Sequence, residues 1–432
     1  MIMEVSKVKP SVLIRIKNFI SNKFFYDDMK IIDLKCAIVA GTPLVRIDTD
    51  EGINGLAQIE STKNYIKPHV LFYKRFLVGE DPTNIERILL KIHRLGGFKP
   101  WGSAVSAIEM ALWDIIGKIT GLPVYKLLGG KIRERVLVYN TLTGVSLDEE
   151  AKGFTPEDYA QMAKKKKSHP FGFKIFKFPI GFHGGKYGKV PDSFYGEIWE
   201  GPPHPLRGHP TEKGIRYTIE CVRALRDVLG EEVGLALDCG PGFSVPGAIK
   251  LAKSLEEYNI LWLEDLITGD YYPYTEVKAY HFVRSRSPIP IHTGEQIYSR
   301  YGFKYLIEKQ AVDIIGPDPC DVGGLAETSF IARFAEMYQV LIAPHSGLNG
   351  PIFLNATIHL AASLPLNFIA LECPFAPNKA WWNGELVKGM PVIKNGYVEV
   401  PDNPGFGIEL KEHVACKYIE PDEEDFFTSK GR

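Results

Sequence analysis

Short apolar runs recur at regular intervals along the middle of the chain, and longer segments with apolar residues at helical spacing separate them. From about residue 136 these runs are rich in β-branched residues, and they cover residues 136–140, 173–178, 233–238, 260–264, 289–292, 312–316, 340–344 and 368–372. Continuous apolar runs are typical of strands that are buried on both faces, as in a parallel sheet. Eight such strands with helices between them predict a (β/α)8 barrel.

A doubly wound open sheet is the alternative that this alternation of strands and helices leaves open. Sheets of that kind commonly bind nucleotides at a glycine-rich turn that follows a strand. The chain has neither G-x-G-x-x-G nor G-x-x-x-x-G-K-[ST] after any of the predicted strands. The absence of these motifs favours the barrel.

One segment between the apolar runs carries clear signals of a helix. Thr155 is a candidate N-cap and Pro156 suits the first helical position. Acidic residues follow at positions 157 and 158, and the run Lys164–Lys167 suits the negative pole at the end of a helix. A patch that binds nucleic acid is the alternative interpretation of these lysines, but we expect a solvated helix end.

The region before residue 136 follows a different pattern. Residues 44–59 alternate between apolar and polar positions through a turn rich in Asp and Gly, which predicts a β-hairpin. A helical stretch at 102–121 is closed by Gly121 and Pro123, and beyond Pro374 the chain becomes irregular and rich in Asn, Pro and Gly. We therefore expect an α+β N-terminal domain, a barrel, and a final segment that returns to the first domain.

Composition and charge exclude several classes of protein. Of the 432 residues, 45% are hydrophobic and 24% are charged, which is close to globular averages and argues against global disorder. Basic residues (51) and acidic residues (52) nearly cancel, and a net charge of −1 provides no long-range field to hold a nucleic acid or an anionic membrane. The six cysteines are scattered without a C-x-x-C pair, so neither a zinc knuckle nor a small disulfide scaffold is indicated.

The chain also lacks the signals of membrane insertion and export. No apolar run approaches the roughly 18–20 residues that span a bilayer. The N-terminal stretch is interrupted by charges and has no small-residue cleavage site, which argues against a secretory signal. Scattered thiols in a large chain fit a reducing compartment. We therefore expect a cytoplasmic protein that binds neither nucleic acid nor membranes.

The connection after the second predicted strand, residues 181–212, is long and dense in Gly, Pro, aromatic residues and His. Loops of this length without regular structure are usually functional or disordered, and the aromatic residues argue against disorder. Its place in the chain puts it at the mouth of the predicted barrel. We expect it to cover that mouth, and a surface or subunit-contact loop is the alternative.

Titratable residues stand at or near the ends of most of the predicted strands, where a barrel places its chemistry. In chain order they are Lys177, Asp238, Glu264, Glu295, Asp318, His345 and Glu372. The carboxylates of Asp238, Glu264 and Glu295 come from consecutive strands, and without a cation between them they would repel strongly in a low-dielectric site. Oxygen ligands suit Mg²⁺, with Mn²⁺ as the alternative. The pattern therefore predicts a divalent metal site in the mouth.

With these residues in place, the chain resembles the enolase superfamily, specifically its mandelate racemase-like branch. The resemblance extends from Met29 to about Ile419 and is carried by SAIEMALWDIIGKITGLPVYKLLGG, LWLED, TGEQ, PDPCDVGGL, APHS, ALECP and NPGFGIEL. It implies an α+β capping domain over residues 29–135, a modified (β/α)8 barrel over 136–377, and a C-terminal segment over 378–432 that returns to the capping domain. Residues 1–28 then form an extension, either a cover for the mouth or an addition from an upstream start codon.

The resemblance also implies roles for the strand-end residues. The ligands of Mg²⁺ are then Asp238, Glu264 and Glu295. Asp318 and His345 form a dyad in which the histidine is the base, and Glu372 donates a hydrogen bond to a substrate carboxylate. Lys177 corresponds to the first lysine of the K-x-K motif of this branch. A proton next to a carboxylate is very weakly acidic, and positive charge from Mg²⁺ and Lys177 would stabilise the enediolate that its removal creates.

The chain departs from the pattern of this family at several positions. Pro179 replaces the second lysine of K-x-K and cannot transfer a proton, whereas a racemase needs a base on each face of the α-carbon. Gly240 stands where many members carry Asn or His, and Asp265 replaces the second residue of the usual Glu-Glu-Pro. With a single histidine base, β-elimination of water remains feasible. The chain is therefore most similar to the acid sugar dehydratases of the branch.

We therefore expect a lyase, a Mg²⁺-dependent dehydratase that converts an aldonic or aldaric acid into a 2-keto-3-deoxy acid. An epimerase, racemase or cycloisomerase of the same superfamily is the second interpretation, and the missing second base argues against it. A non-catalytic binding protein is the third, although such a protein has no need of a dyad. The resemblance also implies a homo-oligomer, between a dimer and an octamer.

Overall fold

The computed structural model describes most of the chain from Met29 onward. The described residues are 29–95, 102–141, 155–181, 192–195, 209–240, 242–267, 276–347, 349–373, 380–421 and 423–428. The proposed extension 1–28 and most of the 181–212 connection lie outside these ranges, so their predicted role as covers of the mouth stays a prediction.

The N-terminal unit, residues 29–127, is a three-stranded antiparallel sheet covered by helices. Its strands are β1 (Ile31–Val39), β2 (Thr42–Thr49) and β3 (Asn54–Gln58). Positive φ angles at Ala40 and Gly41 join β1 to β2 in a tight turn, and the predicted hairpin at 44–59 is confirmed as the antiparallel pair β2–β3. The helices of the unit are α1 (Lys67–Phe72), α2 (Lys74–Leu77), α3 (Ile85–Leu95), α4 (Ser103–Thr120) and α5 (Val124–Leu127).

The second unit is the barrel. Its part of the chain contains, in order, β4 (Arg135–Tyr139), β5 (Ile175–Pro179), β6 (Phe194–Tyr195), β7 (His209–Pro210), β8 (Gly234–Asp238), β9 (Ile260–Glu264), β10 (Ile291–Thr293), β11 (Ile314–Ile315), β12 (Leu341–Ile342) and β13 (Leu371–Glu372). Strands β5 and β8–β12 form one parallel sheet, and β13 pairs in parallel with β4. Parallel bridges Asn140–Phe176 and Ile342–Phe368 join the two sheets into a ring. The predicted barrel is confirmed, and the doubly wound alternative is wrong.

Helices follow the barrel strands on the outside. They are α6 (Pro156–Lys167), α7 (Glu212–Leu229), α8 (Val245–Ser254), α9 (Val277–Arg284), α10 (Ser299–Glu308), α11 (Leu325–Met337) and α12 (Pro351–Ser363). The start predicted for α6 is confirmed, because the Thr155 hydroxyl accepts the Asp158 N–H at 3.2 Å and the Asp158 carboxylate accepts the Thr155 N–H at 2.9 Å.

The end of α6 differs in part from the expected solvated run of lysines. The side chain of Lys166 is only 4% exposed. Its ammonium turns inward and donates to the side-chain oxygen of Asn140 and, at 2.6 Å, to the carbonyl of Thr141. Burial lowers the pKa of Lys166 from 10.5 to about 7. The expectation was wrong for this lysine because one face of the last turn packs against the end of β4.

The floor of the barrel mouth is a small apolar cluster. It combines two aromatic residues with aliphatic side chains from the other strands, and its buried members are Tyr139, Ile175, Ala236, Trp262, Ile314, Ala343 and Ala370. Trp262 and Tyr139 meet edge to face, with ring centroids 5.4 Å apart. A rigid floor of this kind fixes the strand ends from which the titratable side chains project.

The C-terminal segment closes the fold and contacts both units. It contains β14 (Val387–Lys388), β15 (Ile393–Lys394), β16 (Tyr397–Glu399), β17 (Glu409–Leu410) and α13 (Glu412–Ala415), and β16 pairs with β4. The indole N–H of Trp381 donates to the Val39 carbonyl at 3.0 Å. Asp114 of α4 accepts the Phe406 N–H at 3.1 Å. Within the described ranges, no helix combines the length and apolar character needed to cross a bilayer.

Candidate active site

The predicted site residues gather at the carboxyl ends of the barrel strands. Three of them end a strand: Asp238, Glu264 and Glu372. The loops that follow β10, β11 and β12 carry Glu295, Asp318 and His345, each two or three residues after the strand. Lys177 lies in the middle of β5, two residues before its end, so its long side chain reaches the mouth from below.

His345 and Asp318 form the predicted dyad in geometry. Nδ1 of His345 lies 2.8 Å from Oδ2 of Asp318, and the other oxygen of Asp318 accepts the Cys320 N–H at 2.6 Å. Because Asp318 accepts the proton on Nδ1, Nε2 is the ring position that faces the mouth, and it lies 3.0 Å from Oε2 of Glu295. Burial lowers the pKa of His345, but the negative charges of Glu372 and Asp318 outweigh it and raise that pKa from 6.5 to about 10.

Lys177 is a buried ammonium held between two carboxylates. Its Nζ lies 2.5 Å from Oε1 of Glu264 and 3.2 Å from Oε1 of Glu372. Burial lowers the pKa of Lys177, but Glu264 and Glu372 outweigh it and hold that pKa well above its usual value of 10.5. The side chain is therefore a fixed positive charge at the mouth and a poor proton acceptor.

Glu372 accepts hydrogen bonds from several sides. The hydroxyl of Tyr139 donates at 3.1 Å and the backbone N–H of Ser346 at 3.2 Å, in addition to the contact with Lys177. Nε2 of His345 lies 3.8 Å from the same carboxylate. In this arrangement Glu372 is an acceptor, so the donor role that the resemblance implies requires the residue to take up a proton when a substrate carboxylate arrives.

Glu264 is the most enclosed of the predicted metal ligands. The indole N–H of Trp262 donates to its Oε2 at 3.1 Å, and Nδ1 of His292 lies 3.3 Å from the same oxygen. Burial raises the pKa of Glu264, but the neighbouring Lys177 outweighs it and holds that pKa below its usual value of 4.5. Glu264 is thus an ionised carboxylate in a fixed position.

Sequence reasoning missed the residues that hold these carboxylates. Tyr139 and Trp262 fell within predicted strands and were given no role at the site. The alternation along a strand contained a usable signal, because Trp262 and Glu264 are two residues apart and therefore share a face. His292 stacks on Trp262, with ring centroids 5.4 Å apart, and is the partner of Glu264 in the register of β10 and β9, which only the fold reveals.

Asp265, one of the departures from the family pattern, faces away from the mouth. It has a positive φ of 48° and is buried, and it accepts a hydrogen bond from the Thr293 hydroxyl. The hydroxyl of Tyr280 donates to Thr293 at 2.9 Å, which extends the chain of bonds outward. Asp265 therefore joins β9 to β10 and adds no ligand to the mouth.

The predicted metal ligands have the chemistry that a divalent cation requires, and they stand at or just after the ends of neighbouring strands. Asp238 and Glu264 are direct partners in the register of β8 and β9, and Glu295 follows the next strand. All three offer carboxylate oxygens, which Mg²⁺ prefers. In the described part of the chain, however, no three His, Cys, Asp or Glu side chains are grouped closely enough to hold a metal. Glu264 bonds Lys177 and Glu295 bonds His345, so a cation would have to exchange with both partners.

Two family models match the chain, one over each unit. The model of the mandelate racemase/muconate lactonizing enzyme N-terminal domain matches residues 35–129, and that of enolase C-terminal domain-like proteins matches residues 159–414. The chain is also similar to a D-xylonate dehydratase of Haloferax volcanii, with 31% identity over 89% of this chain and 87% of the relative. A D-mannonate dehydratase of a Sphingomonas species is 30% identical over 90% of this chain and 94% of the relative.

Solved structures share the same architecture. A mandelate racemase/muconate lactonizing enzyme-like protein from Rubrobacter xylanophilus has a TM-score of 0.77 and 30% identity, and the match covers 91% of this chain and 98% of that one. An enolase superfamily member from Salmonella Typhimurium also has a TM-score of 0.77, with 28% identity and the same coverage. Sequence and fold therefore agree over both units.

Proposed function

We propose that this chain, which belongs to the mandelate racemase/muconate lactonizing enzyme family of the enolase superfamily, is a hydro-lyase. It removes water from a sugar acid. The relatives named as sugar acid dehydratases match it along nearly their whole length. The observation that carries the proposal is the dyad of His345 and Asp318 beside the ammonium of Lys177. That combination provides one base and one fixed positive charge for an acid with an α-proton.

The first step is removal of the α-proton by Nε2 of His345. His345 acts as the base in its neutral form, in which Asp318 accepts the proton on Nδ1 and the Nε2 lone pair faces the mouth. Its raised pKa makes this the minor form at neutral pH as long as Glu295 and Glu372 carry no other cation. Electrons of the broken C–H bond move into the carboxylate, which becomes an enediolate with two negative oxygens. Lys177 faces that charge as a preorganised ammonium. Mg²⁺, held by Asp238, Glu264 and Glu295, would supply further positive charge to the same oxygens.

The second step is loss of the β-hydroxyl as water. The protonated His345 returns its proton to the departing oxygen while the enediolate electrons form the Cα–Cβ double bond. The product is an enol, which becomes a 2-keto-3-deoxy acid by tautomerisation. One residue thus acts first as base and then as acid. The proton that it takes from the α-carbon is the one that leaves with the hydroxyl, so no second base is needed.

The protonated state of Lys177 supports elimination over racemisation. A second base on the opposite face would have to accept a proton, and Lys177 is held as an ammonium by Glu264 and Glu372. The position of the second family lysine is Pro179, whose ring carries no exchangeable proton. The chain therefore has the chemistry for one-base elimination.

A panel of sugar acids tests the proposal. The purified protein with Mg²⁺ is incubated with aldonic and aldaric acids, D-xylonate, D-galactonate and D-mannonate among them, and 2-keto-3-deoxy products are measured. We expect turnover of at least one acid by the wild type, and none by His345→Asn. A panel without product, combined with racemisation or epimerisation of any member, would contradict the proposal.

A further inference from the structure

The loop that carries Asp318 is held by side chains of the other unit. This loop, residues 316–324, joins β11 to α11, and the Asp318 carbonyl accepts the N–H of Asp321 at 2.9 Å and that of Val322 at 2.8 Å. These bonds make residues 318–322 one tight turn. A displacement of Asp321 therefore displaces Asp318.

Asp321 is the centre of a buried polar cluster between the two units. Nζ of Lys63 lies 2.5 Å from its Oδ2, and the Ser103 hydroxyl donates to its Oδ1. We call Lys63, Ser103 and Asp321 the Asp321 cluster. The side chain of Asp321 is 8% exposed, whereas that of Lys63 is 17% exposed. Because a buried carboxylate without a cation is costly, Lys63 is the group that keeps Asp321 in place.

Helix α4 of the N-terminal unit extends this contact along the loop. The hydroxyl of Ser106 accepts the Gly323 N–H at 3.0 Å. The carboxylate of Glu109 accepts the N–H groups of Leu325 and Ala326, at 2.8 and 2.9 Å, at the start of α11. Since Ser103, Ser106 and Glu109 are spaced by three, they share one face of α4. That face fixes the loop from Asp321 to the first turn of α11.

Lys63 also reaches the second segment of the dyad. It forms an ion pair with Glu60 at 3.1 Å. The Glu60 carboxylate packs against the α-carbon of Gly347, where an added Cβ would lie 2.6 Å from the Glu60 Cδ. Gly347 is two residues after His345. One ammonium of the N-terminal unit is thus linked to both loops that carry the dyad.

We propose that Lys63 and Asp321 are positioning residues that set the distance between Asp318 and His345. The inference rests on the proposed function, because it assumes that this dyad moves the proton. Neither residue touches the dyad nitrogen atoms, and their effect passes through the turn 318–322 and through Glu60. The N-terminal unit therefore takes part in turnover by holding His345 at the correct distance from Asp318. A misplacement of about 1 Å can reduce a rate about 100-fold.

Lys63→Met tests the proposal, because it removes the charge from a partly exposed position and keeps most of the side-chain volume. We expect kcat to fall about 100-fold, with KM within about threefold of the wild type. Lys63→Arg keeps the cation and should restore kcat to within about fivefold. The matched control is Lys67→Met, which removes the ammonium that pairs with Glu423 in the same unit and should leave kcat unchanged.

A second readout is independent of any substrate. Diethyl pyrocarbonate modifies accessible imidazoles, and mass spectrometry measures the modification of His345 by itself. We expect the reagent to modify His345 severalfold faster in Lys63→Met and in Asp321→Asn than in the wild type, because Asp318 holds the ring less firmly in these variants. Melting temperatures of all variants separate this effect from general unfolding.

The outcomes are distinguishable. Wild-type kcat and wild-type labelling in Lys63→Met would overturn the proposal, and so would a kcat loss that follows the melting temperature in Lys63→Met and Lys67→Met alike. A large rise in KM at unchanged kcat would place Lys63 at the substrate and also overturn it. A wild type that racemises or epimerises the acids without forming a 2-keto-3-deoxy product would contradict the proposed function alone, and the labelling rates would still decide the positioning role.

Discussion

Nδ1 of His345 lies 2.8 Å from Oδ2 of Asp318, and this single hydrogen bond determines which ring nitrogen can act as a base. In Asp318→Asn the amide can donate to Nδ1, which favours the opposite tautomer and blocks Nε2 with a proton. We expect kcat to fall about 10²–10⁴-fold while KM stays within about tenfold. Steady-state kinetics on an acid that the wild type dehydrates measures both.

The matched control for this substitution is Asp313→Asn. Asp313 precedes the same strand, β11, and its carboxylate pairs with Arg284 at 2.7 Å at the opposite end of the barrel. The amide oxygen of Asn can still accept the Ile291 N–H that Asp313 accepts at 2.9 Å, and a partly exposed ion pair contributes little, so kcat should stay within about twofold. An Asp318→Asn enzyme as active as Asp313→Asn would show that the dyad does not orient the base.

Lys177 balances two buried carboxylates, and its removal should therefore cost stability as well as activity. Lys177→Met leaves Glu264 and Glu372 without their shared cation, and we expect a loss of about 3–5 kcal/mol in the free energy of unfolding. Lys166→Met is the control, because that buried ammonium donates to neutral oxygens. Urea unfolding without divalent cations should rank Lys177→Met as the less stable variant, and the reverse order would contradict the balance of charges.

Gly324 and Glu109 meet so closely that only glycine fits. A Cβ on Gly324 would lie 2.1 Å from Oε2 of Glu109, and the residue has a φ of +101°. Gly324→Ala must displace the carboxylate that caps α11, so we expect a destabilisation of about 3 kcal/mol or more. Gly130→Ala has a similar φ of +93° but open space around it, and should cost only about 1 kcal/mol. Equal losses in thermal unfolding would mean that the backbone angle alone matters.

Much of the fold and of the site could be predicted because it depends on local patterns. Continuous apolar runs identified all eight barrel strands, and their carboxyl ends identified the residues that the structure brings together, from Lys177 to Glu372. The cap at Thr155 and the glycine after α4, Gly121, follow from elementary backbone chemistry. These features need no knowledge of distant contacts.

What could not be predicted depends on how distant segments pack. Lys166 turns inward because the end of β4 lies beside the last turn of α6. A run of four lysines in the sequence does not reveal this contact. Likewise, the pairing of Lys63 with Asp321 joins residues 258 positions apart. The partners of Glu264 and Glu295 could not be predicted for the same reason. The sequence indicates that both are metal ligands, but it does not show that Lys177 pairs with Glu264 and His345 with Glu295.

His359 predicts a pH dependence of stability that has no connection with the mouth. It is fully buried in α12, where Nδ1 accepts the Tyr125 N–H at 3.3 Å and the ring stacks on Tyr125. Burial lowers the pKa of His359 from 6.5 to about 4. Because the folded pKa is below the unfolded one, the unfolded chain binds the proton first as pH falls. The stabilisation of the folded state by neutral His359 is fully present above pH 6.5 and is lost as the pH falls from about 6.5 to 4. This loss lowers the free energy of unfolding by up to about 3 kcal/mol.

The comparison that isolates this effect is His359→Gln against the wild type. The variant is less stable at neutral pH, but it has no group to titrate there. We expect the difference in the free energy of unfolding to narrow by about 3 kcal/mol between pH 7 and pH 4. A difference that stays constant over this range would show that His359 does not titrate as its surroundings indicate.

The central claim is that His345 alone removes the α-proton and then delivers a proton to the departing hydroxyl. The most direct test follows a sugar acid that the wild type dehydrates, with Mg²⁺ in D₂O, using wild type and His345→Asn side by side. We expect the variant to show neither α-hydrogen exchange nor water loss, while substrate binding stays within about tenfold. Exchange of the α-hydrogen by His345→Asn would reveal a second base in the mouth and contradict the one-base account.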